Sequence, residues 1–392
     1  MLSFRPSMVY LDNAASTPMA PEVLAAWARA AEELPANPAA AHGLGAAAAR
    51  ALETARAQVA ELLRAAPANV VFTSGGTEAN ALAVLGGNGR GKHVVATAIE
   101  HPSVLRNAEL LCKRGFSLAL VAPERCGAVT VEAMLSAITS DTALVAVMLV
   151  NNELGTVQPV AEIARALRAA GHRAHLHVDA VQAATVVPLD VRTLGADSVA
   201  ISGHKLGGPK GVGALWLRPG ARLTPLWDGG RQEGGRRSGT ENLPGCVAFG
   251  RAAVLGREAE ATAPVRMASL RDELEAAVMA ALPEVRPTVT GVTRAPHIAS
   301  LTVPDLPAEP ILHALEARGV IASAGSACAS RSRGLSPVLA AVGVDEGAAV
   351  LRFSLGRYTT SADIAQAVQA LAGAVAEIRS AAGTGRQRRK AR

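Results

Sequence analysis

Ala143-Leu144-Val145-Ala146-Val147-Met148-Leu149-Val150 is an unbroken apolar run, and Asn151-Asn152-Glu153 follows it at once. A run that is apolar at every residue suits a strand buried on both faces, as in a parallel sheet covered by helices. Similar short runs recur at 70–72, 93–99, 175–178, 198–201 and 212–217, with helix-like segments between them at 77–85, 104–114 and 160–170. The last of these stops at Gly171, a residue that commonly ends helices. The rhythm predicts an α/β fold with a mostly parallel mixed sheet covered by helices.

Beyond about residue 252 the pattern changes to a long Ala/Glu/Arg helix, a strand at 298–303 and a helix at 311–318. A Gly/Ser/Ala loop around Cys328, a strand at 350–355 and a final helix follow, and together they read as a smaller α+β domain. A chain of 392 residues exceeds the size at which one core usually stops growing, so two domains are expected. We assign residues 16–252 to the larger, residues 1–15 and 253–380 to the smaller with the Cys328 loop, and 381–392 to a basic flexible tail.

Aromatic residues make up only 3% of the chain, so its helices are expected to pack through small side chains. No stretch reaches the roughly 20 apolar residues that cross a bilayer, and the N-terminus lacks the apolar core of a secretion signal. A cytoplasmic protein with no membrane partner is expected. Cys112, Cys126, Cys246 and Cys328 form no CxxC pair, which suggests neither disulfides nor a zinc site. Of the net charge of +6, most comes from Arg386, Arg388, Arg389, Lys390 and Arg392. The rest of the chain is near neutral, so nucleic acid is not required for its chemistry.

In such sheets ligands sit beyond the carboxyl ends of the strands, and here each of the first five apolar runs ends in polar residues. Ser74-Gly75-Gly76-Thr77 lies between a strand and a helix, where free N–H groups, hydroxyls and the helix dipole suit a phosphate. Asp179 closes His177-Val178-Asp179, and a carboxylate at that depth needs a positive partner such as a protonated pyridine nitrogen. Lys205 follows Ser202-Gly203-His204, where desolvation would favour the neutral amine that attacks an aldehyde. Each has a plainer use alone, as a structural turn, a helix cap or a surface lysine. Their arrival in order at successive strand ends points to one cofactor.

These segments, with Glu100-His101, Tyr10 through Pro18, 150–155, 237–242, 323–330 and 352–360, occur in family order over nearly the whole chain. On them the sequence resembles the cysteine desulfurases of the class V aminotransferase family, a fold-type I branch of pyridoxal phosphate enzymes. The resemblance implies that Lys205 carries the cofactor aldehyde, Asp179 pairs with the pyridine nitrogen, His101 stacks on the ring and Gln182 contacts the ring hydroxyl. Gly76, Thr77, Ser202 and His204 would hold the phosphate, joined by Thr240 from a second subunit of a homodimer. Arg352 would clamp the carboxylate of L-cysteine, with Asn152 and Asn37 as companions.

Cys328 lies in Ser323-Ala324-Gly325-Ser326-Ala327-Cys328-Ala329-Ser330, where no neighbour supplies the bulk of a core. A free thiol is only about 3% thiolate at pH 7, so the site must lower its pKa or deprotonate it in place. The family's chemistry implies that Lys205 removes the α-proton and His101 assists. Cys328 then takes the substrate sulfur as a persulfide, L-alanine leaves, and the sulfur passes to an acceptor such as an iron–sulfur scaffold or a thiolation system.

Two departures stand out, and in the first Arg231 takes the place of a usual third glycine and Gly234 that of a frequent arginine. After Cys328, the segment 331–337 adds two arginines and moves the proline to Pro337, at a length that fits the long-loop subgroup. A selenocysteine lyase, an aminotransferase of the same fold and a non-catalytic scaffold are the alternatives, and an aminotransferase would not need Cys328.

Overall fold

The computed structural model describes residues 8–87, 89–324 and 335–390. Its larger sheet is formed by β2 (Val70–Thr73), β3 (His93–Thr97), β4 (Ser117–Val121), β5 (Thr142–Met148), β6 (His175–Asp179), β7 (Ser198–Ser202) and β8 (Gly213–Leu217). Among the described residues it has 7 strands in the order β2-β8-β7-β6-β5-β3-β4. β8 is antiparallel to both of its neighbours and the other pairings are parallel, so β2, β3, β5, β6 and β7 all end on one edge. Every residue of β5 is buried, as its continuous apolar run requires.

The covering helices are α1 (Pro21–Glu33), α2 (Gly43–Leu62), α3 (Gly76–Gly86), α4 (Pro102–Lys113), α5 (Val131–Ser136), α6 (Val160–Ala169), α7 (Val191–Leu194) and α8 (Leu243–Glu258). Helix α6 buries Val160, Ile163, Ala164 and Leu167, the one-sided stripe of an amphipathic helix. The paucity of aromatics is answered where α2 meets α8. A Cβ on Gly250 would lie 2.9 Å from the Ala55 Cα, so only glycine lets the two backbones approach this closely. Phe249 is fully buried there, and truncating it to alanine would cost about 3–5 kcal/mol.

A second apolar cluster underlies β1 (Val9–Tyr10), β9 (Arg286–Pro287), β10 (Ile298–Val303), β11 (Val320–Ile321) and β12 (Ala349–Ser354), with α9 (Ala263–Ala281), α10 (Ala308–Ala317) and α12 (Ser361–Lys390). Helix α11 (Pro337–Ala341) belongs to a smaller cluster between the sheets. β12, β10 and β9 form an antiparallel sheet, and β1 pairs in parallel with β11, returning the N-terminal segment to this part of the chain.

Three local expectations are corrected. The single long helix expected after residue 252 is two helices, because Pro264 lacks the N–H of a helix interior and is tolerated only in the first turn of α9. Residues 117–121 are a strand that the sequence pattern did not announce; as the sheet edge, β4 leaves Leu120 about half exposed. The expected flexible tail continues α12 as helix through Lys390, over residues with no proline to stop it. No helix among the described residues is long and apolar enough to cross a membrane.

Candidate functional site

The strand-end residues converge on the edge where β2, β3, β5, β6 and β7 finish. At one end of the site, α3 begins at Gly76 with its first N–H groups free of helical partners, and Thr77 is exposed beside them. The turn is braced by Glu78, whose Oε2 accepts the Ser74 N–H at 2.7 Å and whose Oε1 accepts Arg237 Nε at 2.8 Å. Burial alone would raise the Glu78 carboxyl, but the bonds from Arg237 and Ser74 outweigh it and hold it below its usual value.

Ser202, the last residue of β7, is buried, and its Oγ has no hydrogen-bond partner among the described residues. A Cβ on Gly76 would come within 3.4 Å of the Ser202 Cβ and 2.6 Å of Val181 Cγ2, so the hydroxyl adjoins the start of α3. A buried hydroxyl without a partner is costly, and an anion at the helix N-terminus would satisfy both. His204 Nδ1 is 3.3 Å from Ser16 Oγ, and burial, reinforced by the charges of Lys205 and Lys210, lowers its pKa to about 4. His204 is therefore a neutral donor at ordinary pH.

At the other end, Asp179 Oδ1 accepts the Val181 N–H at 3.0 Å and Oδ2 accepts Asn80 Nδ2 at 2.7 Å. His101 caps α4: its Nδ1 accepts the Ser103 N–H at 3.1 Å and lies 2.7 Å from Ser103 Oγ. The proton of the neutral ring is thereby placed on Nε2. Burial lowers the His101 pKa and the Lys205 charge adds to this, while Asp179 opposes it. Between these ends, Lys205 Nζ donates to Ala14 O and, at 2.9 Å, to Ala15 O; Gln182 Nε2 donates to the same Ala14 O at 2.7 Å.

Arg352, in β12, is buried; its Nη1 donates to the Asn152 carbonyl at 2.7 Å and its Nη2 to Asp12 Oδ1 at 2.7 Å. Asn152 thus meets the arginine through its backbone. Asn37 is exposed, with its Oδ1 accepting the Ala39 N–H at 2.8 Å in its own turn. Cys328 lies outside the described residues. The chain on either side of its segment is held at the site: Ser323 exchanges backbone hydrogen bonds with Arg352, and Ser336 Oγ donates to Glu153 Oε1 at 2.9 Å.

Thr240 is exposed and has no bond to Thr77, Ser202 or His204 among the described residues. The loop before it is fastened nonetheless, because Glu233 takes Arg56 through both oxygens, at 2.6 and 2.8 Å, and accepts the Phe72 N–H at 2.8 Å. Glu233 and Gly234 have φ of 52° and 65°, so glycine at 234 suits a left-handed turn where an arginine would be strained.

Sequence reasoning gave no role to four residues, although Glu100 and Asp12 lie in segments it singled out. Asn80 and Asp12 touch the predicted set directly, and buried His297 has its Nε2 3.5 Å from Gln182 Oε1. Glu100 is fully buried, and burial pushes its carboxyl up to about 8. The legible signal was His175-Leu176-His177-Val178-Asp179, whose alternate residues share one face of β6.

The aminotransferase class-V family model matches residues 9–367. Cysteine desulfurase 2 of Trichormus variabilis is 39% identical over 381 residues, covering 95% of this chain and 94% of that protein. Cysteine desulfurase IscS 1 of Archaeoglobus fulgidus is 37% identical over 386 residues, covering 95% and 98%. A solved structure described as a NifS-like protein superposes with a TM-score of 0.88 at 31% identity, over 94% of this chain and 99% of that one.

Proposed function

We infer the chemistry from one premise: the chain belongs to the aminotransferase class-V family. It is a pyridoxal-phosphate-dependent cysteine desulfurase that converts L-cysteine to L-alanine. The observation that carries the reading is the convergence of Lys205, Asp179, His101 and the partnerless Ser202 hydroxyl on one edge of the sheet.

The residues fit the cofactor. Ser202, Gly76, Thr77 and His204 would hold its phosphate, Asp179 its ring nitrogen, Gln182 its ring hydroxyl, His101 its ring face and Lys205 its aldehyde. Bound there, pyridoxal phosphate supplies an electron sink that acidifies the α-proton of the amino acid. Arg352 orients the substrate carboxylate, with Asn152 positioning the arginine and Asn37 a further contact in this proposal. Lys205 Nζ accepts the α-proton and His101 Nε2–H assists its relocation. Cys328 Sγ attacks the substrate Sγ; the new S–S bond forms as the Cβ–Sγ bond breaks, and Cβ takes a proton to leave as alanine.

The working unit in this proposal is a cytoplasmic homodimer in which the fastened loop presents Thr240 to the phosphate of the second copy. The exposure of Thr240 supports it. The persulfide passes to an acceptor protein, an iron–sulfur scaffold or a thiolation partner. The proposal also divides the chain into residues 16–252 and residues 1–15 with 253–380, supported by two separate apolar clusters, with α8 spanning the junction.

The test is a single turnover with cysteine followed by peptide mapping. Alanine and Cys328-bound sulfur should appear in equal amounts, and Cys328→Ala should abolish the persulfide. Persulfide on another cysteine, or undiminished desulfuration without Cys328, would overturn the assignment of that residue.

A further inference from the structure

Asn80 lies in α3, almost fully buried, and each of its side-chain polar atoms has a partner. One amide N–H goes to Asp179 Oδ2 at 2.7 Å and the other to Ser103 Oγ at 2.8 Å, while Oδ1 faces His177 Nε2 at 3.0 Å. The direction of each bond follows from donor chemistry. A carboxylate oxygen accepts, so the amide nitrogen must face Asp179 and the amide oxygen must face His177, which fixes the His177 proton on Nε2.

His177 Nδ1 then accepts from Ser198 Oγ at 2.9 Å, and that hydroxyl accepts from His175 Nε2 at 2.8 Å. On the other side, Ser103 Oγ is occupied as an acceptor by Asn80, so its own proton points to His101 Nδ1, 2.7 Å away. One directed chain of hydrogen bonds therefore runs from the back of β6 to the histidine of the site. His177 suits the interior of such a chain, because burial, with His175 beside it, depresses its pKa to about 3 and keeps it neutral.

We propose that Asn80 is a positioning residue that ties the acid at the ring nitrogen to the histidine over the ring, so that the orientation of Asp179 and the protonation of His101 are set together. The inference rests on the reading that the cofactor lies between Asp179 and His101. Both donors on Nδ1, the Ser103 hydroxyl and the Ser103 N–H, stabilise the neutral imidazole. Asn80 controls the first of these by occupying the lone pair that would otherwise compete for orientation. The charged groups acting on His101 are Asp179, which favours its protonation, and Lys205, which opposes it; Glu100 precedes it in the chain and faces Asp179.

The test compares holoenzymes of the wild type, Asn80→Ala, Ser103→Ala and the double variant. Three quantities are measured: cofactor dissociation, pH titration of the cofactor's visible absorbance, and the acid limb of the kcat profile. Ser103→Ala removes a donor from neutral Nδ1 and Asn80→Ala frees that hydroxyl to turn away from it, so protonation becomes easier and the limb should move to higher pH by about half a unit to one unit in both single variants. Asn80→Ala should also loosen the cofactor about tenfold, whereas Ser103→Ala should leave its binding within about twofold. The double variant should place the limb where Asn80→Ala does, because the two act through one chain.

Additive limb shifts, or an unmoved limb in variants that melt like the wild type, would overturn the proposal. If Asn80→Ala fails to fold, Ser103→Thr decides: it keeps the hydroxyl and should restore the wild-type limb that Ser103→Ala displaces. A wild type that neither binds the cofactor nor releases alanine would instead remove the functional reading beneath.

Discussion

The two ends of the site are built differently. Around Asp179 every polar atom of Asn80 and both carboxylate oxygens are satisfied within one chain, at distances of 2.7 to 3.0 Å. Around Ser202, by contrast, a buried hydroxyl lacks a partner among the described residues, α3 opens with free N–H groups, and Thr240 faces solvent. The lesson is that the end proposed for the ring is pre-organised by folding, while the end proposed for the phosphate would be completed by binding and, in the proposed dimer, by a second copy. Fixed groups at the reacting end act without reorganisation, whereas an anion can be captured by groups that gain from its arrival.

The largest break in this comparison comes between the two ends. Lys205→Ala should reduce alanine formation by a factor on the order of 10³ or more and abolish covalent retention of the cofactor. Next is the pre-organised end. Asp179→Asn keeps the shape and the Val181 contact but removes the charge proposed to face the ring nitrogen, and kcat should fall by roughly 10²-fold with a smaller change in KM. Equal losses in kcat and cofactor affinity would show that Asp179 only holds the ring.

The open end should respond in binding. Ser202→Ala should weaken cofactor affinity by about tenfold, because one hydrogen bond to a charged group is lost, while the melting temperature of the cofactor-free protein holds or rises. A drop in that melting temperature would mean that the hydroxyl already has a structural partner.

The smallest effect on turnover is expected at Glu100, whose Oε1 accepts both Thr97 Oγ1 and the Met148 N–H. Burial pushes its carboxyl up to about 8, above the 4.5 of an exposed glutamate, so the folded chain holds a proton that the unfolded chain releases. The associated stability is complete below 4.5 and is lost as pH rises through about 8. Glu100→Gln should change kcat by less than about threefold and flatten the decline of the urea midpoint across that window. An unchanged slope would place the titration elsewhere.

Much of this was legible because the chain marks its strand ends. Apolar runs announced β2, β3, β5, β6 and β7, and Asp179, Ser202 and Lys205 lie at or just beyond their ends. Edge strand β4 was not legible, since one of its sides faces no neighbour and its burial does not alternate. Asn80 was missed for a different reason. In Ala79-Asn80-Ala81-Leu82 it reads as a lone polar residue in a helix, and its partner His177 is 97 positions away. Periodicity can place each on a face, but only the packing of α3 on β6 brings the faces together. Arg352 entered only through the family resemblance, as a cation for a carboxylate, and its present partner Asp12, 340 residues distant, was not legible at all.

The most direct test is borohydride reduction of the purified protein followed by mass mapping. The account predicts one pyridoxyl group per chain, fixed to Lys205, together with loss of the visible absorbance. A label on any other lysine, or a yellow protein that retains no label after unfolding, would contradict it.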